Sequence, residues 1–270
     1  MHRVSHAAQP AERVVWRHIS AGVVTLGSDK GRSDERPPHQ VRTKAFRMML
    51  TEATVAQYRT CYLAEACTEP RVHSKASPEG TRLNWGAPER LEYPINGITW
   101  AQAGAFCAWA GGRLPSEAEW SRAAQGREQR RFPWGEGPPA ARSPRLANLS
   151  DLSAAKRHPT WRSVKGYDDG FVGTAPVASF PMGRSAFGLL DMAGNVWEWT
   201  SDRFDPEGYR RPKRAGVPNL RSARGGAFNS PASRISTQSR RGLPPSSAPD
   251  DVGVRCVALP QPSRKKSEAR

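Results

Sequence analysis

Asp191 and Glu198 flank a Gly194-Asn195 turn in the segment 188–202, GLLDMAGNVWEWTSD, and Trp197 and Trp199 bracket the second acid. Two chemistries suit carboxylates set this close. A hard cation is one, because the main-chain carbonyls of Gly194 and Val196 can join the two acids as oxygen donors. Acid/base cleavage of a glycosidic bond is the other. A Gly-Asn turn hemmed by indoles suits a loop folded about an ion better than a cleft for sugar, so cation binding is the expectation. The plainer alternative is that these acids pair with arginines or cap loop amides.

Other chemistry is harder to place. The six histidines, at positions 2, 6, 18, 39, 73 and 158, never fall as His-x-x-x-His or His-x-His, the spacings that bring two imidazoles to one metal. His39 reads as a structural hydrogen-bonder. No Ser-His-Asp order, nucleophilic cysteine or phosphate-cradling glycine loop stands out.

The elements that must position these groups are short. Residues 16–28 carry a strand-like run ending at Gly27, residues 41–49 a second, and residues 51–64 a helix with Val55, Tyr58 and Tyr62 at helical spacing. Residues 67–92 read as a long loop. Thr99 and Gln102 form a Thr-x-x-Gln capping box. Behind it Trp100, Ala103, Cys107 and Ala110 share a face, and Gly111-Gly112 gives the left-handed stop. Ser116 and Glu119 repeat the box ahead of a helix that carries Trp120 and Ala124 inward. Short strands are expected at 174–180, 224–228 and 253–258. These elements make a single α+β domain over residues 13–260, with 1–12 a disordered lead-in and 261–270 a basic disordered tail.

Composition bounds the rest. A chain of 270 residues with 37% hydrophobic content, 24 Gly and 24 Pro can bury a core while staying loop-rich. The formal charge of +16 would draw nucleic acid or acidic surfaces. The basic residues are scattered, however, and no RNP, zinc-knuckle or basic-helix motif accompanies them. No apolar run is long enough to span a bilayer. The opening residues MHRVSHAAQPAERVVW hold no signal-peptide core, which makes the cytoplasm the default expectation unless the start lies upstream. Cys61, Cys67, Cys107 and Cys256 allow three pairings, and spacing does not choose between them.

A series of landmarks keeps its order along the chain. They are Ile19-Ser20-Ala21-Gly22 with Leu26-Gly27-Ser28, Asp34-Glu35-Arg36-Pro37 with His39, Glu52-Ala53-Thr54 with Gln57-Tyr58, and Thr99-Trp100 with Phe106-Cys107-Ala108-Trp109. Gly112-Arg113-Leu114-Pro115-Ser116-Glu117-Ala118-Glu119-Trp120, Phe132-Pro133-Trp134-Gly135, the segment 188–202, Arg224-Gly225-Gly226 and Gly253-Val254-Arg255-Cys256 follow. In these the chain resembles the formylglycine-generating-enzyme (sulfatase-modifying factor) family. The resemblance implies a variant of the C-type lectin fold, loop-rich, with short antiparallel strands and two main helices. It implies two calcium sites: one from Asn148, the Leu149 carbonyl, Asp169 and the Phe171 carbonyl, the other from Asp191, the Gly194 and Val196 carbonyls and Glu198. It also implies a Cys107–Cys256 disulfide, with free thiols the alternative in a reducing cytosol. Cys61 and Cys67 remain open between a local bridge and two thiols.

Active members of that family oxidise a sulfatase cysteine to formylglycine with copper held by two thiolates, soft ligands for a soft ion. Laying Gly225-Gly226-Ala227-Phe228 on the Arg-Gly-Gly motif puts Ser230 and Ile235 at the thiolate positions. Ala227 then replaces the motif serine, and Asp251 the family's late asparagine. Serine is too hard and isoleucine has no donor, so copper is not expected. What remains is a polar, basic groove of Asn229, Ser230, Ser233, Arg234, Ser236, Thr237, Gln238, Arg240 and Asp251, suited to an acidic or hydroxyl-rich ligand. The expected function is a calcium-stabilised pseudoenzyme that binds an unknown ligand or protein partner. The alternatives are a family oxidoreductase with an altered metal site, and a binder of acidic surfaces or nucleic acid.

Overall fold

Polar residues ahead of apolar runs fix where the helices start. Thr54 and Gln57, Thr99 and Gln102, and Ser116 and Glu119 form three reciprocal capping boxes, which open α1 (Val55–Leu63), α2 (Trp100–Trp109) and α3 (Glu117–Gln125). Gly111, at φ +79°, ends α2. The computed structural model describes residues 14–70, 83–135, 137–141, 143–209 and 219–260. The expected lead-in and tail lie outside them, as does part of the 67–92 loop. A fourth helix, α4 (Leu152–Arg157), stands where no helix is expected; Asp151 caps it through the Ala154 N–H.

Both expected N-terminal strands break in two. Residues 16–28 become β1 (Trp16–Ile19) and β2 (Gly22–Leu26); residues 41–49 become the end of β3 (His39–Thr43) and β4 (Phe46–Met49). β2 and β3 pair antiparallel with each other, and β1 pairs antiparallel with β4. The segment 188–202 leaves its turn as a strand, β5 (Trp197–Phe204), rather than continuing as a loop. It joins β6 (Leu220–Arg224), β7 (Arg240–Leu243) and β8 (Val252–Gly253) in a sheet of order β7-β6-β5-β8, with β8 parallel to β5. β9 (Val257–Ala258) completes the order β1-β4-β9.

Residues 174–180 form no strand. Their main-chain groups bond to side chains instead: Asn195 engages Ala175, and Asp191 accepts the Ala178 N–H. The strand expected at 224–228 ends at Arg224, because Gly225 and Gly226 turn the chain at φ +100° and +80°.

The main core gathers Tyr58, Ile95, Ile98, Phe106, Trp197, Trp199 and Phe228 around α1, α2 and β5. On α1, Tyr58 is buried while Tyr62 faces out, and Cys61 takes the inward place instead. Two disulfides brace this core: Cys61–Cys67 is local, and Cys107–Cys256 ties α2 to the residue before β9 across 149 positions. A second cluster, with Trp120, Ala124, Ile19 and Met48, packs α3 against β1 and β4. Among the described residues no helix is long and apolar enough to cross a membrane.

Candidate functional site

Asp169 is buried, and its carboxylate collects loop amides: Leu149 N–H at 2.9 Å and Phe171 N–H at 2.9 Å. Buried Asp151 accepts the Asp169 N–H at 2.6 Å. Burial pushes the Asp169 carboxyl up to about 7; the two amides oppose this and the Asp151 carboxylate adds to it. Beside it Asn148 donates Nδ2 to Gly173 O (2.9 Å) and Asn195 Oδ1 (3.2 Å). Asn148 Oδ1 is buried with no partner, a state native interiors rarely leave uncompensated. The orphaned Asn148 amide oxygen and the buried Asp169 carboxylate are hard oxygen donors of the kind calcium takes. Among the described residues no three Asp, Glu, His or Cys side chains converge as a metal-ligating set, so an ion bound here would take main-chain oxygens for the balance.

The second expected set is arranged differently. Asn195, in the left-handed region at φ +59°, stitches its turn to the first loop: its N–H donates to Asn148 O at 2.9 Å. Asp191 Oδ2 accepts the Ala178 N–H at 2.6 Å, and burial pushes this carboxyl up to about 6. Glu198 looks the other way. Arg255 grips it through Nε (2.9 and 3.1 Å) and Nη2 (2.8 Å), and Trp120 Nε1 donates to its second oxygen at 2.6 Å. The Arg255 guanidinium also serves the carbonyls of Met49, Leu50 and Leu190. Its charge already neutralised by the Arg255 guanidinium, Glu198 does not fit a calcium site as the resemblance draws it. Another acid, Glu52, is fully buried, and its segment accepts the N–H of Leu190, next to Asp191, at the Leu50 carbonyl (2.9 Å). Neither Glu52 oxygen receives a hydrogen bond, and burial holds its carboxyl well above the usual range.

Part of the expected groove assembles. Asp251 Oδ2 accepts from Asn229 Nδ2 (3.0 Å) and Arg241 Nη1 (2.7 Å), while Asp251 Oδ1 is buried without a partner. Ser230 is buried, with Oγ accepting the Ala227 N–H at 3.0 Å. Ile235 packs among Phe132, Leu149 and Tyr167. Arg234 lies over the buried Trp197 ring at 5.4 Å.

Thr237, Gln238 and Arg240 serve the interior, whereas Ser233 is exposed. Thr237 bonds the carbonyls of Arg130 and Arg131, and Gln238 holds Thr25 and Gly27 at the end of β2. Arg240 is buried on Glu117, with Nε at 3.0 Å and Nη2 at 2.7 Å. Arg224 and Ser222 bind the same carboxylate at 3.0 and 2.7 Å. Burial alone would raise Glu117, but Arg240, Arg224 and Ser222 carry it below the ordinary range. His39 packs edge-on against Tyr209, and its Nδ1 is buried with no partner.

Sequence reasoning missed Glu52, Arg255 and Trp120. All three stand in landmarks quoted above, yet nothing local ties them to Glu198, which is 57 residues from Arg255 and 78 from Trp120.

The model of the sulfatase-modifying factor enzyme 1-like domain matches residues 3–259. The chain belongs to that family. It is 30% identical to the inactive C-alpha-formylglycine-generating enzyme 2 of Mus musculus over 95% of this chain and 88% of that protein. It is 32% identical to the formylglycine-generating enzyme of Mus musculus over 89% of this chain and 74% of that protein. Among solved structures, PvdO from Pseudomonas aeruginosa superposes with a TM-score of 0.67 at 22% identity, covering 91% of this chain and 94% of that one. The architecture is the family's α+β, C-type-lectin-like fold.

Proposed function

We propose that this domain is a calcium-stabilised member of its family that does not make formylglycine, and that its polar face around Asn229, Asp251 and Arg241 binds a ligand or protein partner. The observation that carries the first half is the state of the sulfur. All four cysteines are in disulfides, and the positions matched to the copper thiolates hold a serine engaged with the Ala227 amide and an isoleucine packed in a core cluster. Copper(I) has no thiolate pair to bind there. The similarity to an inactive C-alpha-formylglycine-generating enzyme supports this reading.

For the second half, the partly exposed Arg241 guanidinium, held by Asp251, and the neighbouring Asn229 offer polar groups to a hydroxyl-rich or acidic ligand. For calcium, the support is the oxygen donor set of Asn148 and Asp169.

The test is incubation with copper, oxygen, a reductant and a cysteine-containing sulfatase peptide, read by mass spectrometry for loss of the thiol and gain of the aldehyde. No conversion is expected. Multiple turnovers would overturn the proposal in favour of an oxidoreductase with an altered metal site.

A further inference from the structure

β3 is paired on one side only. Its partner is β2, and among the described residues no other main-chain hydrogen bond reaches residues 39–43. A groove of about 710 Å³ follows the open side, lined by residues 41–46, the start of α3 and Leu259-Pro260. Successive strand residues point to opposite faces, so a groove touching Val41, Arg42 and Thr43 in turn meets the strand along its edge. Such an edge carries unpaired N–H and C=O groups that template a further strand. Charge and apolar surface lie beside it. Arg113 is spent on Glu119, with Nη2 donating to Oε1 at 2.6 Å and Nη1 to Oε2 at 2.8 Å. Arg42 and Lys44 are exposed and pair with no acid among the described residues, so the groove keeps their positive charge uncompensated. Leu259, at the far wall, is 78% exposed.

We propose that the open edge of β3 accepts an extended segment of a partner protein as an added strand, and that this segment alternates acidic and apolar residues. Main-chain bonds to the edge supply the ladder. The two sets of side chains then divide between the cations Arg42 and Lys44 and the apolar lining at Ala118 and Leu259. Other occupants match less well. A second copy of the chain sets +16 against +16. Residues 261–270, QPSRKKSEAR, hold four Lys and Arg against one Glu and would meet like charge. Single-stranded nucleic acid binds through rings on which bases stack, and the ring in this groove, Phe46, is 2% exposed. The groove shares no residue with the face around Asn229, Asp251 and Arg241, and the proposal does not rest on that reading.

The probe is a fluorescein-labelled peptide of alternating glutamate and valine, titrated into the full chain and followed by anisotropy. Hydrogen exchange read by mass spectrometry locates where it binds. Saturable binding is expected, with exchange slowed about tenfold or more over residues 39–43 and unchanged over β6. The double variant Arg42→Glu, Lys44→Glu should bind about tenfold more weakly or worse; both side chains are exposed and unpaired, so its Tm should match the native value. Methylating the peptide's own backbone nitrogens removes the ladder donors and should abolish binding with the protein left untouched. Failure of the native chain to bind the peptide overturns the proposal, and the two cations then only guard the edge against aggregation. Binding that ignores the charge reversal, survives N-methylation or protects another segment also overturns it. A single-stranded oligonucleotide of equal charge that competes with equal affinity would overturn it in favour of a polyanion site.

Discussion

Replacing Glu117 by Gln tests how this loop-rich fold is held together. One carboxylate receives Arg240 Nε and Nη2, Arg224 Nη1 and Ser222 Oγ, all within 3.0 Å, and Arg224 and Arg240 are 0% and 1% exposed. Glutamine keeps one acceptor oxygen but turns an NH2 group toward these donors and leaves two buried guanidiniums without a counter-charge. Breaking a buried pair in this way costs about 3–5 kcal/mol, and a domain of this size loses roughly 2–4 °C per kcal/mol. The expected fall in Tm at pH 7 is therefore about 6–20 °C by calorimetry. Its sign with pH follows from the depressed carboxyl. Glu117 contributes fully above its unfolded value of 4.5 and less as pH falls through its lower folded value, so the gap between native and variant should narrow in acid. In a double-mutant cycle, Arg240→Met should cost less in the Glu117→Gln background than alone. A Tm loss under about 2 °C, or strictly additive effects, would refute the assignment of this cluster as a structural keystone.

Three further outcomes follow. Asp169, raised to about 7 from 3.8, binds its proton more tightly folded than unfolded, so it withdraws stability from the metal-free protein as pH rises between those values. That contribution is on the order of 4 kcal/mol at most. Chelated native protein should lose Tm over this range relative to Asp169→Asn, and calcium should reverse the loss most strongly at pH 8; a calcium effect equal at pH 5 and pH 8 would contradict this. Gly194 sits at φ +83°, and a β-carbon added there would meet the Asn148 carbonyl oxygen at 2.0 Å. Gly194→Ala should therefore destabilise by more than about 2 kcal/mol in chemical denaturation, whereas Gly111→Ala, with open space around it, should lose less. A thiol assay in denaturant without reductant should find no free cysteine, and reduction should lower stability by about 2–5 kcal/mol; four titratable thiols would remove both bridges.

The helix starts were legible because a capping box is local: donor and acceptor lie three residues apart, and two of the three boxes could be read directly. The strands were less so. The sequence reads as one strand-like run over 16–28 and another over 41–49, and only tertiary pairing shows the breaks at Ser20-Ala21 and Lys44-Ala45. The ribbon 174–180 misled because its apolar residues look like a strand while its amides answer to Asn195 and Asp191, partners 13 to 20 residues away. The resemblance pointed to Asn148 and Asp169, and both side chains are buried. The surroundings of Glu198 were not, since a carboxylate cannot announce whether its cation is a metal or a distant arginine. Gln238 and Arg240 show the same limit: polar residues after a Gly-Gly turn suggest a surface, yet both are drawn inward by partners far along the chain.

β4 has β1 on one edge and β9 on the other, and Cys256 stands one residue before β9. During synthesis, then, the edge of β4 that takes β9 stays bare until Val257 has left the ribosome, and Cys107 lacks its partner until the same moment. A nascent chain stalled before Val257 offers a naked strand edge and an unpaired sulfur together. Its maturation should depend on a chaperone or an oxidase arriving late rather than early.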